Sequence, residues 1–590
     1  MKKIFFLFCI ANLFFVEQLF SQTNYYVNAA TGNDANSGTN LAAAWKTIQK
    51  ACSSATPNSV VQIKGGTYHE NISVNVSGTA GNPITFRNYM SDSVFIDGTG
   101  TGGTTVLYMQ DKNYLNFQHL VIQNLTVNNA QGIAIECSAA GSMKNISFKN
   151  IIIRHINWTS NPASVPTSND NSQAFIAYGY GSNPANAIAN LAIDSCEVYS
   201  NILGFSEGIS LDGNINGFSV TNCKVHDNTN IGIDVAGNYA VSSNPAVDHA
   251  RNGVVRNCEC CRNVSNYATS AGIYVDGGWN TVIEKCKSYE NGWGIEVGCE
   301  ENGSTDSITV KNNLIYNNKE GGLAIGGYTS STTGQVLHAM IRNNTFFENN
   351  SSSNGNGEIY MTKMSNSSII NNIFYTNAQN QFMFVEAISP QASNALNYNC
   401  WFTPNNDANN VSVDWRGTHY ATFASYKSGT AQEANSFYGD PALSSPSLPT
   451  PDLHIPVSSL CYNAGDPSTV ISPGESDYEG NARIGSGRID VGAYEVTANN
   501  IYENNSRNTT VKIYPDPFTE SATVQVDDEG FLNINLKMKI YDGFGREIKQ
   551  LAILRSPVII ERSHMPDGIY FYYLLDRSGN SVSEGKFIVR

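Results

Sequence analysis

Four acidic side chains recur at similar positions beside short apolar segments. Asp234 and Glu296 occupy the third place of Gly-Ile-x-Val segments, and Asp212 and Asp276 directly follow such a segment or a close variant. Glycoside hydrolysis requires two carboxyl groups, one protonated and one ionised. We therefore predict that Asp234, Asp276 and Glu296 supply the catalytic acid and the base or nucleophile. Calcium prefers carboxylate oxygens, and Asp212 is the best candidate for an additional metal ligand.

Aromatic residues accompany these acids. Tyr274, Trp279 and Trp293 lie in the same part of the chain, and flat aromatic rings stack well on sugar rings. We predict that these three residues position a sugar. Residues 237–252 interrupt one repeat unit, and such insertions often border the binding groove of a solenoid. Two further glutamates follow at 300–301.

The same residues also suit simpler roles. An aspartate followed by glycine is a common way to make a turn, and both Asp212 and Asp276 precede glycine. Trp279 and Trp293 are equally compatible with packing at turns. The sequence leaves both interpretations open for each of these residues.

A repeat provides the elements that would position these side chains. Seven eight-residue segments have Cys or Asn in third place and Asn in eighth place, and the closing asparagines are 27 to 35 residues apart. The segments are 194–201, 221–228, 256–263, 284–291, 311–318, 342–349 and 370–377. Several short strands in each repeat of roughly 27 residues predict a β-solenoid in which successive coils stack.

A second apolar strand follows most of these segments, with alternating apolar positions that indicate one buried face. Stacked coils lie about 4.8 Å apart, and alternate residues of a strand about 6.8 Å apart. The four acids therefore share one outward face across four adjacent coils. Asp276 would lie roughly 8 Å from both Asp234 and Glu296 between Cα atoms. Side-chain rotation can then bring carboxyl groups to about 5–10 Å, the range of glycosidase pairs.

The third position of the repeat forms a single column. It is filled by Cys196, Cys223, Cys258 and Cys286, and then by asparagines. A column of Cys or Asn predicts an inward ladder, in which asparagines hydrogen-bond along the stack. A zinc site would instead need ligands that converge on one point. The cysteines therefore do not indicate a disulfide framework, and their odd number after signal cleavage leaves at least one free thiol.

Chain length, net charge and the N-terminal residues limit the classes of protein to which this chain can belong. A chain of 590 residues predicts at least two domains. A net charge of −15 argues against nucleic acid or anionic membrane as a partner, and it suits calcium or a neutral glycan. Two lysines and an apolar run at 4–15 predict a signal peptide at 1–21, cleaved after Ser21. No later segment has membrane-spanning length. We expect the protein to be a monomer.

The start of the mature chain has a recognisable pattern. Residues 25–39 (YYVNAATGNDANSGT) precede a predicted amphipathic helix at 43–55 that would cap the solenoid, and the segments 60–66 (VVQIKGG) and 78–89 (GTAGNPITFRNY) follow. This run resembles the start of many secreted right-handed parallel β-helix proteins, including polysaccharide lyases. The resemblance, with the general preference for right-handed crossovers, implies an all-β right-handed helix over 22–430.

One pectate lyase family has Asp-Asp-Gly in the coil before its catalytic lysine. The corresponding stretch here is 230–234 (NIGID), and Tyr274 stands where that lysine would lie. A lyase needs a base to remove the proton next to a uronate carboxylate, whereas a hydrolase needs only two carboxyl groups. The sequence therefore favours hydrolysis slightly and leaves elimination open.

The last third of the chain resembles two other modules. Residues 431–497, including 477–495 (DYEGNARIGSGRIDVGAYE), resemble the choice-of-anchor tail of surface β-helix proteins. A polar linker follows at 498–510. Residues 511–590 carry motifs at 512–518, 539–547 and 565–573 and resemble the β-sandwich sorting domain of the type nine secretion system of Bacteroidetes. That resemblance implies export across the outer membrane by this machinery, to the cell surface or the medium.

These observations predict a secreted enzyme that acts on an extracellular polysaccharide, either a glycoside hydrolase or a polysaccharide lyase. The alternative is a non-catalytic adhesin or glycan-binding scaffold, because a fold alone does not determine function. Acids clustered on one face favour the enzyme, and acids scattered evenly around the coils would favour the scaffold.

Overall fold

The computed structural model describes residues 22–327, 334–387, 392–485, 487–496, 510–527, 536–542, 546–553, 556–575 and 581–590. The predicted signal peptide lies outside these ranges, as does nearly all of the predicted linker. The chain divides into two compact units, 1–496 and 497–590.

Three long sheets run along the first unit, and each full coil contributes one strand to each sheet. The strands pair in parallel with their counterparts in neighbouring coils, so the predicted all-β solenoid is confirmed. The first sheet consists of Thr23–Val27, Ser59–Ile63, Ile84–Asn88, Asn113–Gln118, Met143–Lys149, Ile188–Asp194, Ile215–Thr221, Ala250–Arg256, Trp279–Glu284, Thr309–Lys311, Met340–Arg342, Ser368–Ile370 and Ala395–Asn397, with Ser304–Asp306, Gln335–Leu337 and Met364–Ser365 at its side. The second sheet consists of Gly66–Tyr68, Val94–Asp97, Val121–Thr126, Ile152–Asn157, Glu197–Tyr199, Lys224–His226, Glu259–Cys261, Lys287–Tyr289, Leu314–Tyr316, Thr345–Phe347, Ile373–Tyr375, Cys400–Phe402 and Phe437–Tyr438.

The third sheet carries the predicted acids, and we call it the site sheet. Its strands are Ile72–Val74, Thr105–Gln110, Ala130–Cys137, Ser172–Gly179, Ile209–Gly213, Ile233–Ala236, Ala271–Asp276, Trp293–Cys299, Gly321–Gly327, Ile359–Met361, Gln381–Val385, Ser412–Trp415 and Thr418–Tyr420. The last two strands pair in antiparallel fashion.

The register of the site sheet confirms the alignment of the coils. Asp234 pairs with Tyr274, and Tyr274 pairs with Glu296 in the next coil. Asp276 pairs with Ala236 on one side and Gly298 on the other. Apolar residues between these positions fill the interior, so the polar residues of the same strands point outward.

The closing asparagines of the repeat form a buried ladder. Each side-chain amide donates to the carboxamide oxygen of the next coil, over 2.8 to 3.2 Å. The members are Asn201, Asn228, Asn263, Asn291, Asn318 and Asn349. Asn349 ends the ladder by donating to the Glu358 carboxyl group. Asn377, which the repeat aligns with this column, donates instead to the backbone carbonyls of Asn349 and Asn350.

The Cys–Asn column also faces the interior. The Cys223 thiol donates to the Thr221 carbonyl over 3.2 Å, and the other cysteines of the column make similar bonds. From Asn313 onward the column becomes a second amide ladder, with Asn313 donating to Asn344 over 2.9 Å. A thiol and a carboxamide thus occupy equivalent buried positions because each can donate to a backbone carbonyl.

The ends of the solenoid differ from the predicted boundaries. The first helix spans Ile48–Ser54, shorter than predicted, and follows a separate 3-10 turn at Leu41–Ala43. It starts at Ile48 because the Thr47 side chain caps its first turn, accepting from the Lys50 amide. At the other end, a helix at Phe423–Thr430 is followed by the strand Phe437–Tyr438, so the parallel ladder continues beyond residue 430.

Residues 440–496 fold against the outer face of the second sheet. Leu453, Val491 and Tyr494 pack in one apolar cluster with Tyr316 and Phe347 of that sheet. Within this tail, two acids that resemble catalytic carboxylates have structural contacts. Asp490 accepts from the Val496 amide, and Glu495 accepts from the Asp490 amide.

The second unit is antiparallel. Thr510–Tyr514, Ser521–Asp527 and Val558–Glu561 form one sheet. Leu536–Tyr541, Glu547–Ile553, Gly568–Leu575 and Ser581–Val589 form the other. Buried apolar residues, including Val524, Met538 and Phe587, form the core of this unit.

Candidate active site

An outward cavity of about 540 Å³ lies over the middle of the site sheet. Five acidic residues line it, and we call it the acid pocket: Glu207, Asp212, Asp234, Asp276 and Glu300. The site sheet brings three of them together, because Asp212, Asp234 and Asp276 lie in strands of three successive coils. Glu207 enters from the turn before Ile209–Gly213, and Glu300 from the turn after Trp293–Cys299.

Asp276 is almost completely buried and accepts two hydrogen bonds. The Tyr239 hydroxyl donates to one carboxylate oxygen, and the Glu300 amide donates to the other over 2.8 Å. Burial and the nearby Glu300 carboxylate raise the pKa of Asp276 to about 7, although these two donors favour its ionised form. A carboxyl group with this pKa can be ionised near neutral pH and still be basic enough to take up a proton.

Asp234 has a different environment. Its side chain is buried, with 6% exposed, and no hydrogen-bond partner for Oδ1 is found among the residues that the structure describes. Burial, with the negative charges of Glu207 and Asp276 nearby, raises the pKa of Asp234 well above its usual range. This raised pKa favours the protonated, neutral form of Asp234.

The other acidic residues of the acid pocket also have raised pKa values. Burial and the Asp212 charge raise the pKa of Glu207 to about 8, and burial and the Asp248 charge raise the pKa of Asp212 to about 7. Burial also raises the pKa of Glu300. Closely spaced carboxylates cannot all ionise, so the pocket holds a mixture of protonated and ionised groups at neutral pH.

Aromatic rings form the walls and rim of the acid pocket. Phe205 and Tyr239 remain about 40% exposed at the rim, and Tyr267 packs edge-on against Phe205 with ring centroids 5.5 Å apart. Exposed aromatic faces beside polar groups are suited to binding a sugar ring. Within the described ranges, no Lys, Arg or His lines this pocket.

A second cavity of about 280 Å³ lies on the other side of Tyr274. Trp293, Glu296 and Tyr360 line it, and we call it the aromatic pocket. Glu296 was predicted to act with Asp234 and Asp276, but the structure places it in this neighbouring cavity, because the Tyr274 ring stands between them. Burial, then the Glu300 charge, raises the pKa of Glu296 well above its usual range.

Two glycines create the space for these rings. A Cβ on Gly298 would lie 2.9 Å from the Tyr274 hydroxyl, so the Tyr274 ring leans over Gly298 in the next coil. Likewise, a Cβ on Gly321 would lie 2.3 Å from the Trp293 ring. Trp293 and Gly321 are partners in the register of the site sheet. Larger residues at either glycine would displace the ring that defines its cavity.

The structure does not bring Trp279 to either cavity. The chain turns at Gly277 and Gly278 from the site sheet into the first sheet, where Trp279 begins a strand. Its ring stacks on His249 with centroids 3.8 Å apart, and its indole N–H donates to the Ser304 carbonyl. Trp279 therefore packs beside a turn rather than lining a sugar site.

The fit of Asp212 to calcium is incomplete. Oδ1 of Asp212 is a buried oxygen without a hydrogen-bond partner in the described part of the chain, which a cation could satisfy. Over the same part, however, no group of three His, Cys, Asp or Glu side chains is arranged to hold a metal ion. Calcium binding at Asp212 therefore stays a prediction, and no chemical step is assigned to it.

Sequence reasoning did not select Glu207, Tyr239 or Glu300 as site residues. Glu207 and Glu300 lie in turns outside the Gly-Ile-x-Val pattern, so strand alternation does not indicate their direction. Tyr239 belongs to the insertion at 237–252, which does border the cavity. Asp248 shapes this insertion by accepting from the Ala240 and Ser242 amides, each over 2.7 Å.

Comparisons with known proteins agree with the two-unit architecture. The right-handed β-helix region family matches residues 167–346, and the secretion system C-terminal sorting domain family matches 512–590. The predicted right-handed solenoid and the predicted sorting domain are thereby confirmed. The chain is an exported protein of the cell surface or the medium, and the secretion machinery is its partner during export. No helix in the described residues is long and apolar enough to cross a membrane.

Three individual proteins illustrate the similarity. The uncharacterized protein YwoF of Bacillus subtilis is 31% identical over 430 residues, which cover 71% of this chain and 88% of YwoF. Pectate lyase PEL9 of Emericella nidulans is 31% identical over 134 residues, covering 20% of this chain and 32% of the lyase. The crystal structure of the GH136 lacto-N-biosidase from Eubacterium ramulus matches with a TM-score of 0.45 and 14% identity, over 65% of this chain and 68% of that one.

Proposed function

The chain belongs to the same family as YwoF of Bacillus subtilis, and we propose that it is an exported glycoside hydrolase that cleaves an extracellular glycan in the acid pocket. The observation that carries this proposal is the contrast between Asp234 and Asp276. Both line one cavity, but Asp276 accepts two hydrogen bonds, and one oxygen of Asp234 has no partner among the described residues. Environments that push the pKa values of two carboxyl groups apart are suited to one acid and one base.

In this proposal Asp234 is the general acid. Its proton passes to the glycosidic oxygen as the bond to the anomeric carbon breaks, so the leaving sugar departs as a neutral alcohol. Asp276 either removes a proton from the water that attacks the anomeric carbon, or attacks this carbon itself to form a glycosyl ester. In the second route water cleaves the ester, and the Asp234 carboxylate takes up the proton of that water. The register places their Cα atoms roughly 8 Å apart, and side-chain rotation gives carboxyl separations compatible with either route.

Elimination is less compatible with the residues that line the site. A lyase base must remove the proton next to a uronate carboxylate, and no lysine or arginine lines either cavity within the described ranges. Tyr274 occupies the position that a lysine would take in the pectate lyase family that the sequence resembles. We therefore favour hydrolysis over elimination.

The arrangement also supports an enzyme over an adhesin or glycan-binding scaffold. Five acidic residues converge on one cavity, instead of being spread around the coils. A binding scaffold gains nothing from placing so many buried carboxyl groups together, because their mutual repulsion destabilises the fold.

The proposal is tested by a screen of the full mature chain against a panel of polysaccharides, with and without calcium. We expect new reducing ends from at least one glycan, without the ultraviolet absorbance of an unsaturated uronate. Asp234→Asn and Asp276→Asn should each lower this activity by at least about 10²-fold. Asp194→Asn should retain it because Asp194 lies on the first sheet, paired with Lys149. Unsaturated products would contradict the proposal, and silence on all glycans would favour the scaffold.

A further inference from the structure

Tyr274 separates the acid pocket from the aromatic pocket. Tyr274 and Thr269 line both cavities, so the two spaces meet at this tyrosine. The cavities follow the direction in which coils stack, since Asp234, Tyr274 and Glu296 occupy one register column in three successive coils. A polymer lying along this face would therefore meet both cavities in turn.

The aromatic pocket has the features of a built binding site. Trp293 is only 5% exposed, and its ring lies 5.8 Å from the ring of Tyr360. Gly321 leaves the space that the Trp293 ring needs, so the position of this ring is part of the fold. Glu296 points into this cavity and has no hydrogen-bond partner among the described residues, so its carboxyl group remains available to a ligand.

The charges around both cavities restrict what can bind. The ionisable groups that line them are carboxyl groups and tyrosines, with no lysine, arginine or histidine in the ranges that the structure describes. A uronate carboxylate placed here would lie among like charges without a cationic partner, which is costly. Sugar hydroxyls have no such cost, because they accept from a protonated carboxyl group and donate to an ionised one.

We propose that the aromatic pocket is a second sugar-binding subsite, and that the substrate is an uncharged glycan whose chain crosses Tyr274 with a sugar in each cavity. Trp293 and Tyr360 form the aromatic wall against which the sugar in the aromatic pocket packs, and Glu296 binds its hydroxyl groups. Glu296 is thus a substrate-binding residue rather than a member of the catalytic pair. This inference rests on the proposed function, since it assigns the acid pocket to the cleavage site.

Binding measurements on the full chain carrying Asp276→Asn test this subsite without cleavage. The probes are oligosaccharides of one to four units from mannan, xylan, β-1,3-glucan and galactan, with galacturonan and alginate oligosaccharides as the anionic arm and chitosan oligosaccharides as the cationic arm. We expect one uncharged series to bind about tenfold more tightly once its chain fills both cavities. Adding Trp293→Ala should remove this gain, and because it truncates a buried ring it should also lower the melting temperature.

Trp293→Phe and Glu296→Gln preserve most of the local packing and guard against a folding defect. Each should reduce the gain from the additional sugar, by about threefold or more. Trp279→Ala is the matched control because Trp279 lies away from both cavities, and it should leave the length dependence unchanged.

Three results would overturn the subsite: unchanged length dependence in all three site variants, tighter binding of a galacturonan, alginate or chitosan oligosaccharide than of every neutral one, or no binding by any probe. The proposed function fails differently. If a neutral glycan binds with the expected length dependence but the unsubstituted chain does not cleave it, the subsite stands and hydrolysis is refuted.

Discussion

Replacing Tyr239 with phenylalanine should shift the pH dependence of activity upward. Tyr239→Phe removes the hydroxyl that donates to Asp276 and leaves the ring that lines the acid pocket. Because this donor favours the ionised form of Asp276, its loss raises the pKa of Asp276 above about 7. The base is then ionised only at higher pH, and the rising limb of kcat/KM moves with it.

The size of the shift follows from the hydrogen bond that is lost. A hydrogen bond to a charged group contributes about 1.5–3 kcal/mol, and one pKa unit corresponds to about 1.4 kcal/mol. Tyr239 is 40% exposed, so solvent weakens this contact and the lower end of the range applies. We expect the rising limb to move up by about one pH unit, because the Glu300 amide still donates to Asp276.

The assay is kcat/KM against pH for a glycan that the chain cleaves. Tyr267→Phe is the matched control, since Tyr267 lines the same pocket but donates to the carbonyls of Gly204 and Thr229 rather than to a carboxylate. It should leave the rising limb in place. An unchanged or lower midpoint in Tyr239→Phe would show that Asp276 is not the group that must ionise.

Further predictions concern catalysis, the ladder and pH. Asp234→Asn should lower kcat by about 10²–10⁴-fold at pH 7 through loss of the general acid, measured by release of reducing ends. Asn318→Ala should lower the free energy of unfolding by about 2–6 kcal/mol, because at least two buried groups lose partners. Urea titrations measure this change, and the control Lys319→Ala, at the adjacent surface, should alter the free energy of unfolding little. The raised folded-state pKa values of Asp234 and Asp276 mean that the folded chain holds protons that the unfolded chain releases. The stability that they contribute is therefore present below about pH 4 and is lost as the pH rises through their folded-state pKa values, about 7 for Asp276. Asp234→Asn should reduce that loss.

Strand alternation and the repeat made most of the site sheet predictable. The register columns that join Asp234 to Tyr274 and Glu296 follow from aligning the Gly-Ile-x-Val segments, because residues of equal position stack in a solenoid. The buried asparagine ladder was predictable for the same reason. The end of that ladder was not, since Glu358 replaces Asn377 through contacts that the repeat does not encode.

The contents of the two cavities depend on features outside the strand pattern. Glu207, Tyr239 and Glu300 reach the acid pocket from turns and an insertion, whose backbone directions a two-residue period does not specify. Trp279 was placed with the sugar-binding residues because it is close to Tyr274 in sequence. The turn at Gly277 sends it into another sheet. Distance along the chain is therefore a poor guide to a shared site wherever a solenoid changes sheet.

The environment of each acid could not be predicted from the sequence, because it depends on how the fold brings distant residues together. The sequence indicates that Asp234 and Asp276 share a face, but not that one accepts two hydrogen bonds while an oxygen of the other has no partner in the described residues. That difference favours ionisation of Asp276 over Asp234, and it arises from a tyrosine in the insertion and a backbone amide in the turn of Glu300.

Cleavage in water enriched in oxygen-18 tests the assignment of hydrolysis most directly. The full mature chain is incubated with a glycan that it cleaves, and the products are analysed at once by mass spectrometry, with unlabelled product in the same water as the control for spontaneous exchange. Hydrolysis by Asp234 and Asp276 predicts one labelled oxygen in each new reducing end. Products that carry no label and have lost the elements of water would show elimination instead, and would contradict the roles assigned to both residues.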